Sequence, residues 1–109
     1  MALVHMLTEL GGKECEATVT KINKNKYYAL SGAIAEVNDH DWLIKNILPD
    51  EKLSLRNETD EYGVLVIAGP RSRNLLSKLT DADLSNAVFP WLQGKTIDVS
   101  GIKTLALRV

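Results

Sequence analysis

An α+β fold is what this sequence predicts, and three observations carry it. Alternating, β-branched runs from Cys15 to Ile22 and from Thr96 to Val109 read as strands. Between Glu36 and Leu48 apolar residues recur at helical spacing, and Gly-Gly, Gly-Pro and Ser-Gly pairs punctuate the chain between such segments. With 109 residues, 45% of them hydrophobic and 25% charged, the chain can build one compact domain, and disorder or a fibrous repeat is not expected.

Met1 to Leu7 is an apolar strand candidate, ended by Gly11-Gly12, where the backbone can turn or approach a ligand closely because no Cβ intervenes. In the next strand Ala17, Val19 and Lys21 share one face, and Glu16, Thr18, Thr20 and Ile22 the other. Asn23 to Asn25 form a polar turn and Lys26 to Ser31 returns, so Cys15 to Ser31 is expected to be a hairpin, closed by Gly32. Val37, Leu43, Ile44, Ile47 and Leu48 supply the stripe of an amphipathic helix, with Asn38 or Asp39 as its cap and Pro49 as its stop.

Lys52 to Arg56 alternates, and Val64 to Ala68 is apolar throughout, as in a strand buried on both faces of a sheet. Gly69-Pro70 opens a second helix with Leu75, Leu76 and Leu79 on its buried side, and Thr80 to Asn86 adds a short capped turn. Thr96 to Val99 and Ile102 to Val109 flank Ser100-Gly101, a two-residue hairpin turn. The order β, β, β, α, β, β, α, β, β contains a ferredoxin-like βαββαβ core with additional strands, an antiparallel or mixed sheet with two helices on one face. That arrangement hosts many functions and selects none.

Thirteen Lys and Arg against fourteen Asp and Glu give a formal charge of −1 and no field to draw the chain onto nucleic acid or an anionic membrane. One cysteine and two histidines, at positions 15, 5 and 40, show no metal-ligand spacing, and no metal is expected. The apolar runs fall far short of the roughly 20 residues of a membrane span, and the start lacks the basic region of a signal peptide. A soluble intracellular domain is expected, cytoplasmic, or in the mitochondrial matrix of a eukaryote. Both ends read as strands, which suggests a piece of a longer protein.

Glu14 and Glu16 point to one strand face beside the Gly-Gly turn, where a carboxylate could polarise a polar ligand; a solvated face is the plainer reading. Cys15 faces the other way and reads as a small buried hydrophobe, His40 as exposed, and His5 as uninformative. Arg71 and Arg73 sit at a helix start that could meet an anion, without the glycines of a phosphate loop. Trp42, Phe89 and Trp91 read as core anchors.

Three strings carry a resemblance that periodicity does not: MLTELGGKECEATVT at 6–20, GPRSRNLLSKLTDADLSNAVFPW at 69–91 and TIDVSGIKTLALRV at 96–109. HDWLI at 40–44 is in the same style. Together they resemble the folate-binding T-protein family, which includes the aminomethyltransferase of the glycine cleavage system and the C-terminal half of sarcosine and dimethylglycine dehydrogenases. TDADLSN and FPW are more similar to the dehydrogenase branch.

The resemblance implies tetrahydrofolate-dependent one-carbon transfer, with residues 1–109 forming a single partial folate-binding domain. It implies FAD only in a flavin-containing half of a full-length parent. Glu16 stands where the family has a catalytic Asp that contacts folate and positions or deprotonates the reacting nitrogen. Its carboxylate lies one methylene further out, and a shift of order 1 Å costs about a hundredfold in rate. Met6 and Leu7 match the start of an MLN string that lines the folate site, with Thr8 in place of the Asn, and Gly11 and Gly12 match unchanged. The family's later Gly-Glu motif and an Arg lie beyond the strand that ends at Val109. The resemblance therefore implies an incomplete pocket and a chain that is inactive alone.

Two readings follow. The first is a fragment of a one-carbon transfer enzyme, its partners a folate-type small molecule and the rest of the parent. The second is a free-standing, non-catalytic interaction module, homodimerising through edge strands.

Overall fold

The structure, a computed structural model, describes all residues from Met1 to Val109. Seven main elements follow in order: β1 (Ala2–Leu7), β2 (Lys13–Lys21), β3 (Tyr27–Leu30), α1 (Glu36–Lys45), α2 (Ser72–Leu76), β4 (Gly94–Val99) and β5 (Ile102–Leu107). The α+β class is thus what the chain adopts. Its strands form two sheets, one of order β1-β2-β3 and one of β4 with β5. The chain divides into two compact units, one of residues 3–19 and 29–64, the other of 1–2, 20–28 and 65–109.

In the first unit the alternation expected of β2 holds from Glu14 to Ala17, and further along the strand it fails, since Thr20, expected on the Glu16 face, is buried. Cys15 and Ala17 are buried while Glu14 and Glu16 face out, because successive strand side chains take opposite faces. Helix α1 begins earlier than the sequence suggests. A single 3₁₀ turn, Ala33–Ala35, leads directly into it, and Ala35 at the cap offers no side-chain bond, so neither Asn38 nor Asp39 caps. Glu36 and Asp39 instead lie in the first turn and Lys45 in the last, which complements the helix dipole. Asn46 closes it, its backbone N–H donating to the carbonyls of Trp42 and Leu43.

The apolar stripe read for this helix is largely in solvent: Val37, Ile44 and Leu48 are exposed, and the buried residue of α1 is Asp39. Periodicity marks a face but not its depth, and here the face that goes inward carries a carboxylate.

In the second unit the core is Leu84, Phe89 and Ile97, flanked by Leu76, Ala82, Val99 and Ala106. Strands β4 and β5 pair antiparallel, with Thr96 opposite Leu105 and Val99 opposite Ile102. Their turn needs two left-handed residues, and Ser100 at φ 52° and Gly101 at φ 88° supply them. Two local turns, Thr80 Oγ1 accepting from the Ala82 N–H and Asp83 Oδ1 from the Ser85 N–H, make the capped segment expected before Phe89. The second helix is a single short stretch, and of its leucine stripe Leu76 packs on the core while Leu75 and Leu79 stay exposed.

Two expected strands do not form, and one expected core aromatic lies in solvent. Lys52 to Arg56 and Val64 to Ala68 lie in no ladder, so the βαββαβ succession is not completed as one sheet. Leu65 is 94% exposed and Val66 83%, the reverse of a strand buried on both faces. The reason is physical: a strand exists through backbone pairing with a neighbour, and an apolar run cannot specify that neighbour by itself. Arg56 is instead held by Glu61, whose carboxylate accepts two bonds from one guanidinium nitrogen at 2.5 and 2.6 Å. Trp91, read as an anchor, is 70% exposed, and Phe89 alone of the three aromatics is buried.

Candidate functional site

The residues that the resemblance marks for the folate site, Met6, Leu7, Gly11, Gly12 and Glu16, lie along the β1-β2 hairpin. Its connection is built by Thr8 and the glycines: the Thr8 N–H donates to the Gly12 carbonyl at 2.8 Å and the Gly11 N–H to the Thr8 carbonyl at 2.9 Å. The Thr8 hydroxyl also accepts from the Gly12 N–H at 3.0 Å. Gly11 holds φ 79°, a conformation that a Cβ would strain, and a Cβ on Gly12 would stand 3.2 Å from the Thr8 hydroxyl. Both glycines therefore have local reasons to be there. Along β1, Met6 is half-buried and Leu7 exposed.

Glu16 points outward from β2 and meets the His5 imidazole and the Lys13 ammonium. His5 Nε2 lies 2.5 Å from Glu16 Oε2, and Lys13 Nζ lies 3.6 Å from the same oxygen. The hydrogen bond from His5, and after it the positive charge of Lys13, hold the Glu16 carboxyl below the usual carboxylate range. Glu16 is thus an anion at neutral pH. An anion so held is a poor proton abstractor and a good acceptor of an N–H bond, and it stabilises positive charge beside it. Both contacts use Oε2.

Of the residues proposed from sequence, Met6, Leu7, Gly11, Gly12 and Glu16 fall on one hairpin. Sequence reading passed over His5 and Lys13. The signal was there in principle, because a hairpin turning at Thr8 to Gly12 brings residues a similar distance before and after it alongside each other. Glu14, on the same strand face, makes no contact with this group.

Behind this face, the Cys15 thiol is pushed above its ordinary value, chiefly by burial and then by the Asp39 carboxylate. It is a buried neutral thiol and no nucleophile. His40 is half-buried, its Nδ1 3.9 Å from Asp41 Oδ1. No helix is long and apolar enough to cross a membrane.

Comparison with known proteins gives this geometry a context. The model of the GCVT N-terminal domain family matches residues 1–109. Dimethylglycine dehydrogenase, mitochondrial, of Homo sapiens is 38% identical over 106 residues, covering 96% of this chain and 12% of that protein. The protein of the same name in Rattus norvegicus is also 38% identical, over the same shares. An aminomethyltransferase of Listeria innocua is 35% identical over 104 residues, covering 94% of this chain and 28% of that protein. The chain spans about an eighth of the dehydrogenases and little more than a quarter of the aminomethyltransferase. The match runs from the first residue to the last, and the chain belongs to the GCVT N-terminal domain family.

Proposed function

We propose that this chain is one wall of the folate site of a tetrahydrofolate-dependent one-carbon transfer enzyme, the aminomethyltransferase-like half of a sarcosine or dimethylglycine dehydrogenase. The observation that carries the reading is the ionised Glu16 carboxylate, held by His5 and Lys13 next to the Gly11-Gly12 turn. The arrangement suits a pterin edge on one side: a carboxylate to accept an N–H bond and, on the outward face of β1 that carries His5, Leu7 as apolar contact surface, with Met6 turned to the other face of the strand.

Tetrahydrofolate, when bound, supplies the nitrogen that takes up the one-carbon unit. The chain's own residues orient and polarise. Glu16 accepts a hydrogen bond and offsets developing positive charge, while His5 and Lys13 fix its carboxylate and keep it deprotonated. Gly11 and Gly12 keep the turn free of side chains. In this reading residues 1–109 are a single partial domain, FAD belongs to another part of the parent, and the remainder of that parent completes the pocket. The mitochondrial matrix is the compartment in a eukaryote and the cytoplasm in a bacterium.

The chain alone does not enclose a ligand at Glu16, because the surface there is open: the side chains of Glu16 and His5 are 43% and 48% exposed. Catalysis in isolation is therefore excluded on this reading, since open water competes for every polar contact. An NMR titration of the chain with millimolar tetrahydrofolate tests the wall directly. Amide shifts confined to Met6–Gly12 and to Glu16, reduced in Glu16→Ala, are expected; shifts elsewhere only, or none, would overturn the assignment.

A non-catalytic interaction module is the second reading, favoured by the exposure of Val64, Leu65 and Val66. Light scattering that shows a monomer at every concentration would remove its homodimeric form.

A further inference from the structure

Arg73 on α2 and Arg108, just past β5, converge on a single neutral atom. The Nη2 of Arg73 donates to Asn86 Oδ1 at 2.6 Å, and the Nη2 of Arg108 donates to the same oxygen at 2.7 Å. Two guanidinium groups thus stand within about two hydrogen-bond lengths of each other. Neither has a carboxylate within 4.0 Å, in a chain with fourteen acidic residues and where Arg56 is paired to both Glu58 and Glu61. Like charges brought this close repel, and an amide oxygen carries no net charge to offset them.

The cluster is also held in place. Arg108 donates a further bond through Nη1 to the Phe89 carbonyl, and its backbone is pinned on both sides, its N–H to the Gln93 carbonyl at 2.9 Å and its carbonyl to the Leu92 N–H at 2.8 Å. Phe89 belongs to the buried core, so the Arg108 fork is anchored to that core. Arg73 and Asn86 are exposed, and Arg108 is half-buried. Each guanidinium has five N–H donors, and these bonds use one of Arg73 and two of Arg108.

We infer that Arg73, Asn86 and Arg108 form a binding site for a small oxyanion, the phosphate or carboxylate group of a small molecule. Two preset guanidinium forks match an anion that presents two or more oxygens, and binding would relieve the repulsion between them. The inference is independent of the folate reading, and it replaces the Arg71 and Arg73 pair suggested by sequence with one in which Arg71 makes no contact.

NMR titration of the intact chain with inorganic phosphate, and separately with glutarate, at constant ionic strength tests it. Saturable shifts of the Arg73 and Arg108 Nε–H signals and of the Asn86 side-chain amide are expected with at least one probe, and the stronger of the two identifies the anion class. Arg73→Gln should weaken that binding roughly tenfold or more, and Arg73→Lys should weaken it too, since the charge stays but the fork is lost. Unchanged β4 and β5 amide signals will show that both variants are folded. No saturable shift with either probe, or equal affinity in Arg73→Gln, would overturn the site.

Discussion

The Cys15 thiol on the second strand lies against the Asp39 carboxylate on the first helix, and both residues are buried. Asp39 Oδ1 has no hydrogen-bond partner, so this carboxylate is under-satisfied at a depth where that is costly. Burial and the Asp39 charge both favour the protonated thiol.

Alkylation of Cys15 by iodoacetamide should therefore be slow in the folded chain at pH 8 and fast after denaturation. Asp39→Asn removes the charge and should accelerate the folded-state reaction roughly severalfold. An unchanged rate would mean that burial alone protects the thiol. With the folded-state thiol raised, the unfolded chain releases its proton first as pH climbs through the ordinary thiol range, so stability falls with rising pH in that window.

Glu16 has the opposite sign. Its folded carboxyl is depressed by His5 and Lys13, so whatever it adds to stability is present above the ordinary carboxylate range and is lost as pH falls through the depressed value. His5→Gln should move the Glu16 titration upward, toward an ordinary carboxylate, in a carbon-detected NMR experiment. No movement would show that Lys13 alone sets it.

Gly101 holds φ 88° in the tight β4-β5 turn. Gly101→Ala should cost about 1 kcal/mol, read from the urea midpoint, because a Cβ crowds the backbone in the left-handed region. A neutral result would mean that the turn has changed type.

Gly94 is limited by space instead. A Cβ there would stand 2.8 Å from Thr20 Cγ2 and 2.9 Å from Leu107 Cδ2. Thr20 is buried and β-branched and cannot swing away. Gly94→Ala should destabilise by about 1 to 3 kcal/mol through overpacking. Thermal denaturation with no loss would show that the neighbours yield.

Phe89→Ala removes the largest side chain of the Leu84, Phe89 and Ile97 cluster and should cost about 3 kcal/mol or more. It should also loosen Arg108, whose guanidinium is bound to the Phe89 carbonyl. Calorimetric unfolding measures the first effect.

What the sequence made legible was local. Ser100-Gly101 announces its turn because only left-handed residues close a two-residue hairpin, and Cys15 to Ile22 announces its strand by alternation. Relations between segments were hidden. Nothing in the string VLVIA says whether a neighbour will pair with it, and the helical stripe from Val37 to Leu48 gave no hint that Asp39 would be the residue taken inside. At the candidate site, Glu16 is legible from its place beside the Gly-Gly turn and from the resemblance, whereas its hold by His5 depends on β1 lying beside β2. The Arg73 and Arg108 pair is separated by 35 positions and joined through a third residue, a relation no spacing rule reaches.

The unpaired run from Val64 to Ala68 has a consequence for handling the protein. Five apolar residues, three of them β-branched, uncharged and free of proline, with open backbone groups, form the kind of segment that stacks in register with copies of itself into cross-β fibrils. Gly63 on one side and Gly69-Pro70 on the other bound it. Aggregation should therefore begin at this segment when the chain is concentrated. Val66→Lys, at a side chain already 83% in solvent, should suppress it with little effect on folding.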